Sequence, residues 1–261
     1  MLEKASARET AIRVALGGVA KALLSQFDMQ VVSYTTRIGS VEISPVNDPL
    51  AAFEQAEQSQ VRCPDPEANE KMIEQIQSAK RHGDSLGGIF EVVVLNPPIG
   101  LGSYAQWDRR LSARLAMAAM SIQAMKGVEI GLGFESARRL GSEVHDDIYP
   151  SEIKPGFSRQ TNRAGGLEGG ITNGQPIVVR VAMKPIATLY QPKNSVDIET
   201  KKPFEATVER SDICTVPAAG VVGEAVIAYE MANAMLEKFS GDSLDEMKRN
   251  FDAYLEYVKN F

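Results

Sequence analysis

Apolar residues at Ile12, Ala15, Leu16, Val19, Leu23 and Phe27 recur at helical spacing. Ser6 followed three residues later by Glu9 is a capping-box pattern, so the spacing predicts a helix over 6–27 that starts at Ser6. Gly17 and Gly18 fall inside it, where each weakens a helix by up to ~1 kcal/mol. Close packing against a neighbouring element is the expected reason for them. The period then changes. Residues 29–44, MQVVSYTTRIGSVEIS, read as strand interrupted near Gly39. A polar helix follows Pro66 and ends before Gly83. GGIFEVVVLNPPIG, 87–100, is a strong β run stopped by Pro97 and Pro98.

Residues 108–125 form a second predicted helix rich in small side chains, followed by a short strand, GVEIGLGF, at 127–134. Residues 137–175 are dominated by turn formers, and a loop of that length is functional or disordered. Strands are predicted at 175–186 and 202–210. A helix covers 216–239, and Ser243 with Glu246 opens a last one whose inner face is Met247, Phe251, Leu255 and Val258. Strands and helices are interleaved without a visible linker, which predicts one mixed α/β domain over 1–261. The string SAR occurs at 6–8, 112–114 and 136–138. It is too short to establish a duplication.

Composition narrows the function classes. The chain has 261 residues, 44% hydrophobic and 24% charged, with a net charge of −6. That balance speaks against a general nucleic-acid role and requires any anion site to concentrate its positive charge locally. Cys63 and Cys214 lie far apart and form no CxxC pair, which argues against a disulfide framework or a zinc site. No apolar run approaches the roughly 18–20 residues needed to span a membrane, and no signal-peptide pattern is visible. The expectation is a cytoplasmic protein that engages neither nucleic acid nor membrane.

Several segments could carry chemistry. Ser6 and Arg8 sit on a first helical turn, where free N–H groups and an arginine fork favour an anion. A capped helix with solvent-facing arginines is the alternative. NRAGGLEGGITNGQ, 162–175, holds five glycines that let backbone approach a ligand, but it is neither GxGxxG nor a P-loop. A plain glycine-rich turn is the alternative there. In ERSDIC, 209–214, Arg210 and Asp212 face the same way on an extended segment, as ligand contacts or as a strand-end salt bridge. His82 and His145 have no nucleophile motif beside them. His145 with Asp146 and Asp147 reads as a surface loop, since adjacent ligands do not share one face, and no metal site is expected.

Together these segments resemble the chorismate synthase family. EKASARETAIRVALGGV at 3–19 is similar to the family's central motif, with Gly18 where the family usually has Ala, Ser, Thr, Val or Tyr. SIQAMKGVEIG at 121–131, NRAGGLEGGITNGQ at 162–175, MKPIATL at 183–189 and ERSDICTVPAAGVVGEAV at 209–226 follow in family order, with Ile213 in place of a small residue or proline. The upstream GESHG-like motif, GRG-type arginine loop and Pro-Gly-His histidine of the family are not in this sequence. The chain resembles the C-terminal two thirds of a chorismate synthase.

The resemblance implies a β-α-β sandwich fold, here without its N-terminal portion, assembled as a homotetramer. It implies a carbon–oxygen lyase of the shikimate pathway. Phosphate is removed from 5-enolpyruvylshikimate 3-phosphate by 1,4-trans elimination to give chorismate, with reduced FMN required and NADPH as a reductant associated with the flavin. Ser6, Arg8 and Arg210 would hold substrate. Lys4, Ala5, Ser6, Gln123, Ala124, Gly169, Lys184, Pro185, Ile186, Ala187, Thr188 and Arg210 would contact FMN, with Lys184 at the flavin phosphate and the glycine loop nearby. Asp212 would be the catalytic acid near the flavin's reactive nitrogen. Without the upstream histidines, this chain alone is expected to be inactive. The alternative function is a non-catalytic flavin- or anion-binding remnant, or one partner of a split enzyme.

Overall fold

A computed structural model describes residues 2–152 and 156–260. In chain order the elements are α1 (Leu2–Ala5), α2 (Thr10–Ser25), β1 (Gln30–Ile38), β2 (Val41–Glu42), α3 (Pro49–Glu57), α4 (Pro66–Arg81), β3 (Gly88–Leu95), α5 (Leu111–Met120) and β4 (Met125–Ile130). There follow α6 (Gly141–Val144), β5 (Ile148–Pro150), β6 (Phe157–Arg159), β7 (Leu167–Glu168), β8 (Ile171–Thr172), β9 (Ile177–Met183), β10 (Asn194–Val196), β11 (Pro203–Glu205), α7 (Val216–Phe239) and α8 (Leu244–Lys259). Among the described residues no helix is long and apolar enough to cross a membrane.

Five strands form one antiparallel sheet in the order β2-β1-β3-β9-β4. β3 is its centre, and Phe90, Val92, Val93 and Val94 are fully buried because both faces are covered there. One face packs on α2, α5 and α7. On the other, Val32, Tyr34 and Val93 pack against Ala52, Phe53 and Ala56 of α3. Beyond α3 that face carries charge: Tyr34 donates to Glu91, and Arg180 bridges Glu91 and Glu129 at 3.3 and 3.0 Å. Burial, together with the Glu91 carboxylate, pushes the Tyr34 phenol far up, so it stays a neutral donor.

α7 is buried nearly all round over 219–228, as the small and apolar run on both sides of Glu224 requires. It carries one inward charge. Glu224 accepts from Ser33 Oγ at 2.6 Å, pairs with Arg62 at 2.9 Å and pairs with Lys21. Arg62 also reaches the Ser33 carbonyl at 3.0 Å and pairs with Glu57. α8 closes the end of the helical layer through edge-to-face contacts of Phe251 with Phe27 and Phe239. The inner face expected for this helix is seen, with Met247 buried and Phe251, Leu255 and Val258 half-buried.

The structure differs from the sequence expectations in four places. The first helix does not run as one piece from Ser6. Ser6 caps a 3-10 turn, Ala7–Glu9, and its Oγ accepts from Arg8 N at 3.4 Å, while the Glu9 side chain turns away to other partners, so the capping box is only half formed. Ile12, Leu16 and Val19 are 61, 51 and 72% exposed, because α2 meets α7 through Gly17, Ala20 and Leu24 instead. α3, capped by Asp48 and opened by Pro49, has no counterpart among the elements expected from sequence. Residues 202–210 pair only at Pro203–Glu205, in an exposed hairpin with β10.

The two helix glycines are not equivalent. A Cβ at Gly17 would lie 2.3 Å from Ala225 Cβ and 2.4 Å from its Cα, so α2 and α7 touch backbone to backbone there. A Cβ at Gly18 would meet nothing within 4 Å. Opposite outcomes are therefore expected from the same change. Gly17→Ala should destabilise by ~1–3 kcal/mol through overpacking, and Gly18→Ala should stabilise by ~0.5–1 kcal/mol through helix propensity. Urea denaturation of both variants checks this, and two changes of the same sign would refute the packing argument.

Candidate functional site

One end of the sheet collects the ends of many elements. Ile38 of β1 pairs with Gly88 of β3, Gly88 with Met183 of β9, and Met183 with Met125 of β4. At the same end, loops continue the sheet contacts. Lys184 N donates to Ala124 O at 3.0 Å, and Leu86 N donates to Ile213 O at 2.8 Å. Thr215, the residue before α7, donates to Met183 Sδ at 3.7 Å. Ser85 Oγ donates to Ile186 O at 2.7 Å. The segment around 183–190 thus bridges the 123–124 turn to the 210–215 segment.

The start of α2 joins this rim from the helical layer. Gln123 Nε2 donates to Glu9 Oε2 at 2.9 Å, Arg13 Nε donates to Glu9 Oε1 at 2.6 Å, and Arg13 Nη1 donates to Ser121 Oγ at 2.7 Å. The hydrogen bond from Gln123 and that from Arg13 hold the Glu9 carboxyl below its ordinary range. This network sets the segment carrying Lys4, Ala5, Ser6 and Arg8 beside Gln123 and Ala124. Of the sequence-expected residues, Ser6, Gln123, Ala124, Ile186 and Thr188 are half-buried, and Lys4, Ala5, Arg8, Lys184, Pro185, Ala187, Arg210 and Asp212 are exposed.

Three features give the rim chemical character. Arg8, Lys184 and Arg210 make no ion pair among the described residues, so their charge is available to an anion. Gln123 Oε1 is buried without a hydrogen-bond partner, an arrangement that costs ~1–3 kcal/mol until a donor meets it. Ala124 has φ of +69°, a strained conformation for a residue with a Cβ, held by its bond to Lys184. Arg210 and Asp212 line one cleft of about 800 Å³ with Lys80, Tyr190, Ser211 and Thr215. They do not pair with each other, so the strand-end salt bridge is not formed. Lys80 and Tyr190 were not found from sequence. Tyr190 lies two residues beyond KPIAT, and that proximity was the available signal.

Gly169 lies elsewhere. It turns β7 into β8 with φ of +63°. Its neighbour Gly170 accepts from Leu111 N at the start of α5, whereas Gln123 follows the end of α5. The length of α5 alone separates them by ~15 Å. The loop also adjoins the start of β9, while Lys184 follows its end, ~20 Å along the strand. The expected closeness of Lys184 and the glycine loop is therefore not present within one chain, because β9 runs between them.

The glycine loop is held by a residue assigned at first only to a surface loop. Asp146 accepts from Thr161 Oγ1 at 2.5 Å, from Arg163 N at 2.8 Å and from Ala164 N at 2.9 Å. Gly165 and Gly131 then cross with their backbones in contact. His145 serves no ligand set, and among the described residues no cluster of three or more His, Cys, Asp or Glu could hold a metal. His82 ends α4, its Nδ1 2.8 Å from Ser78 O.

Burial pushes the Asp146 carboxyl up, but its three hydrogen bonds outweigh this and leave it below the ordinary value. A group lowered on folding stabilises above its unfolded value, ~3.9, and that contribution is lost as pH falls through the folded value. The 161–170 loop should therefore stay closed at neutral pH and open in acid below the usual carboxylate range. Asp146→Asn, with one acceptor fewer, should open it already at pH 7. Hydrogen exchange of 161–170 against pH reads both. An unchanged profile in the variant would remove Asp146 as the clamp.

Comparison with known proteins adds the family. The chorismate synthase family model matches residues 1–236. Chorismate synthase of Geobacter sulfurreducens is 55% identical over 268 residues, covering 100% of this chain and 68% of that protein. That of Syntrophotalea carbinolica is 58% identical over 262 residues, covering 100% and 67%. That of Aquifex aeolicus is 54% identical over 270 residues, covering 100% and 68%. A crystal structure of chorismate synthase superposes with a TM-score of 0.86 at 49% identity, covering 100% of this chain and 72% of that one.

Proposed function

The chain belongs to the chorismate synthase family, and from that premise we propose that its cationic rim binds 5-enolpyruvylshikimate 3-phosphate beside reduced FMN and serves the elimination of phosphate that yields chorismate. The relatives are named for this lyase, and the alternative of a non-catalytic remnant has no support in the comparisons. The observation that carries the reading is that Arg8, Lys184 and Arg210, free of ion pairs among the described residues, lie on segments meeting at one end of the sheet, with Asp212 in the same cleft as Arg210.

The rim also suits a flavin. An unpaired lysine followed by Pro185–Thr188 matches a phosphate tail. The orphaned Gln123 oxygen and the small Ala124 match the polar edge and face of a planar ring. Lys184 to Thr188 would hold the flavin phosphate, and Lys4, Ala5, Ser6, Gln123 and Ala124 would flank the ring system. Reduced FMN, when bound, supplies the electron-rich reactive centre that the polypeptide lacks. Arg8, Arg210 and the Ser6 hydroxyl would bind the two carboxylates and the phosphate of the substrate. Charge-assisted donors of this kind also stabilise the negative charge that grows on departing phosphate. Asp212, which lines the same cleft as Arg210, would hold the proton exchanged at the reacting nitrogen. An association with NADPH, and the cytoplasm as the compartment, belong to the same family reading.

Gly169 bears on assembly. A flavin held by Lys184 lies at the far end of β9 from Gly169 of the same chain, so contact with both draws on a second copy. The exposed Ile12, Leu16 and Val19 of α2, with Met117 and Met120 of α5, add apolar surface for such association. Both support a homo-oligomer, with the family's homotetramer as the form proposed.

Two experiments test the reading, both in a protein of the relatives' full length. Lys184→Ala should weaken FMN binding more than substrate binding, measured by flavin titration; an unchanged FMN affinity counts against the phosphate site. Arg8→Ala removes a contact worth ~1.5–3 kcal/mol and should raise KM about ten- to a hundredfold. Asp212→Asn should lower kcat with little change in KM. Anaerobic steady-state kinetics separate the two, and the reverse split would show the roles to be misassigned.

A further inference from the structure

Gln123 occupies the turn between α5 and β4, and its two amide atoms fare differently. Nε2 donates to Glu9 Oε2 at 2.9 Å, whereas Oε1 is buried without a partner. The second Glu9 oxygen takes the Arg13 Nε–H at 2.6 Å, and Arg13 Nη1 goes on to Ser121 Oγ at 2.7 Å. An ionised carboxylate offers acceptors only. The bonds from Gln123 and Arg13 keep Glu9 ionised by lowering its carboxyl further. Turning the amide over would set its carbonyl oxygen against a carboxylate oxygen, so the orientation is fixed by Glu9. The unsatisfied oxygen is the consequence of that orientation.

We propose that Glu9 is a positioning residue that commits Gln123 to the acceptor role, so that the ligand completing the site presents an N–H or O–H group to Gln123 Oε1. The inference rests on the flavin and substrate reading above and names the chemistry required at one point of it. Flavin carries a ring N–H and the substrate a ring hydroxyl, so either ligand contains the donor.

Four proteins of the relatives' full length decide the matter: wild type, Glu9→Gln, Gln123→Met and the double variant. FMN affinity, substrate KM and Tm are measured on each. An amide at position 9 can both donate and accept, so it no longer dictates the direction of the Gln123 amide. Glu9→Gln and Gln123→Met should each cost about tenfold in one ligand, and the double variant should be no worse than Gln123→Met, since Glu9 acts only through it. Loss in FMN affinity identifies the flavin N–H as the donor, and a rise in substrate KM alone identifies the hydroxyl. Additive losses, or a lower Tm with both affinities unchanged, overturn the proposal. Lys184→Ala separates the two levels. If it weakens FMN binding while Glu9→Gln changes neither ligand, only the present inference fails. If Lys184→Ala also leaves FMN binding intact, the flavin reading itself fails.

Discussion

The fold turns on a carboxylate inside the helical layer. Glu224 sits in the middle of α7 with Lys21 of α2, Ser33 of β1 and Arg62 of the segment after α3 around it. A buried charge is tolerated only when paired and hydrogen-bonded, and removing one partner of such a group costs ~3–5 kcal/mol. The first half of α7 is otherwise small and apolar, so packing alone would leave its rotation and axial position poorly defined there. Glu224 defines both. Arg62 reaches it across the open edge of β1, where Thr35 N donates to Arg62 O at 2.7 Å in place of a strand partner. One ion cluster therefore closes a sheet edge and seats the central helix.

The site follows from that seating. Glu224 lies eight residues after Val216, about 12 Å along the helix, so fixing it fixes where the 210–215 segment leaves α7. α2 runs alongside α7, with Gly17 against Ala225 in mid-helix and Phe27 close to Phe239 through Phe251 at their ends. The start of α2 is thereby delivered to the same rim. α5 runs the other way, tied to α7 by Arg114 with Glu230 and Glu237, and so presents its C-terminal turn there. Two helix starts, those of α2 and α7, two helix ends, those of α5 and α4, and four strand ends meet there.

Much of the fold was legible in the sequence. The long apolar run of 216–239 and the β runs around β3 and β9 show their type in their patterns, and tertiary contacts did not override them. Asp48 followed by Pro49 is an ordinary helix start, yet its short helix was passed over because the segment lacks a long periodic run. Ile12, Leu16 and Val19 fit the helical period, but periodicity cannot say which side a neighbour occupies, and α7 takes the side with the glycine. Asp146 clamps groups 15 to 18 residues away, a relation no local pattern encodes, so with His145 and Asp147 it reads in sequence only as a surface loop. The site residues came from family motifs. Their gathering at one end, the exception of Gly169 and the part played by Glu9 depend on strand direction and long-range pairing, which motifs do not carry.

The partners of Glu224 stand far apart along the chain: Lys21 lies 203 residues before it. At ~5–20 residues per second of translation, roughly ten to forty seconds pass on the ribosome between the appearance of α2 and that of the helix it packs against. Through that interval α2 exposes Ala20 and Leu24, which later pack in the core, as well as Ile12, Leu16 and Val19. The rim, which joins the start of α2 to the 210–215 segment, is complete only when the latter emerges. A nascent chain of this protein thus carries an uncovered apolar helix face until α7 emerges, the kind of transiently exposed surface that makes a chain aggregation-prone.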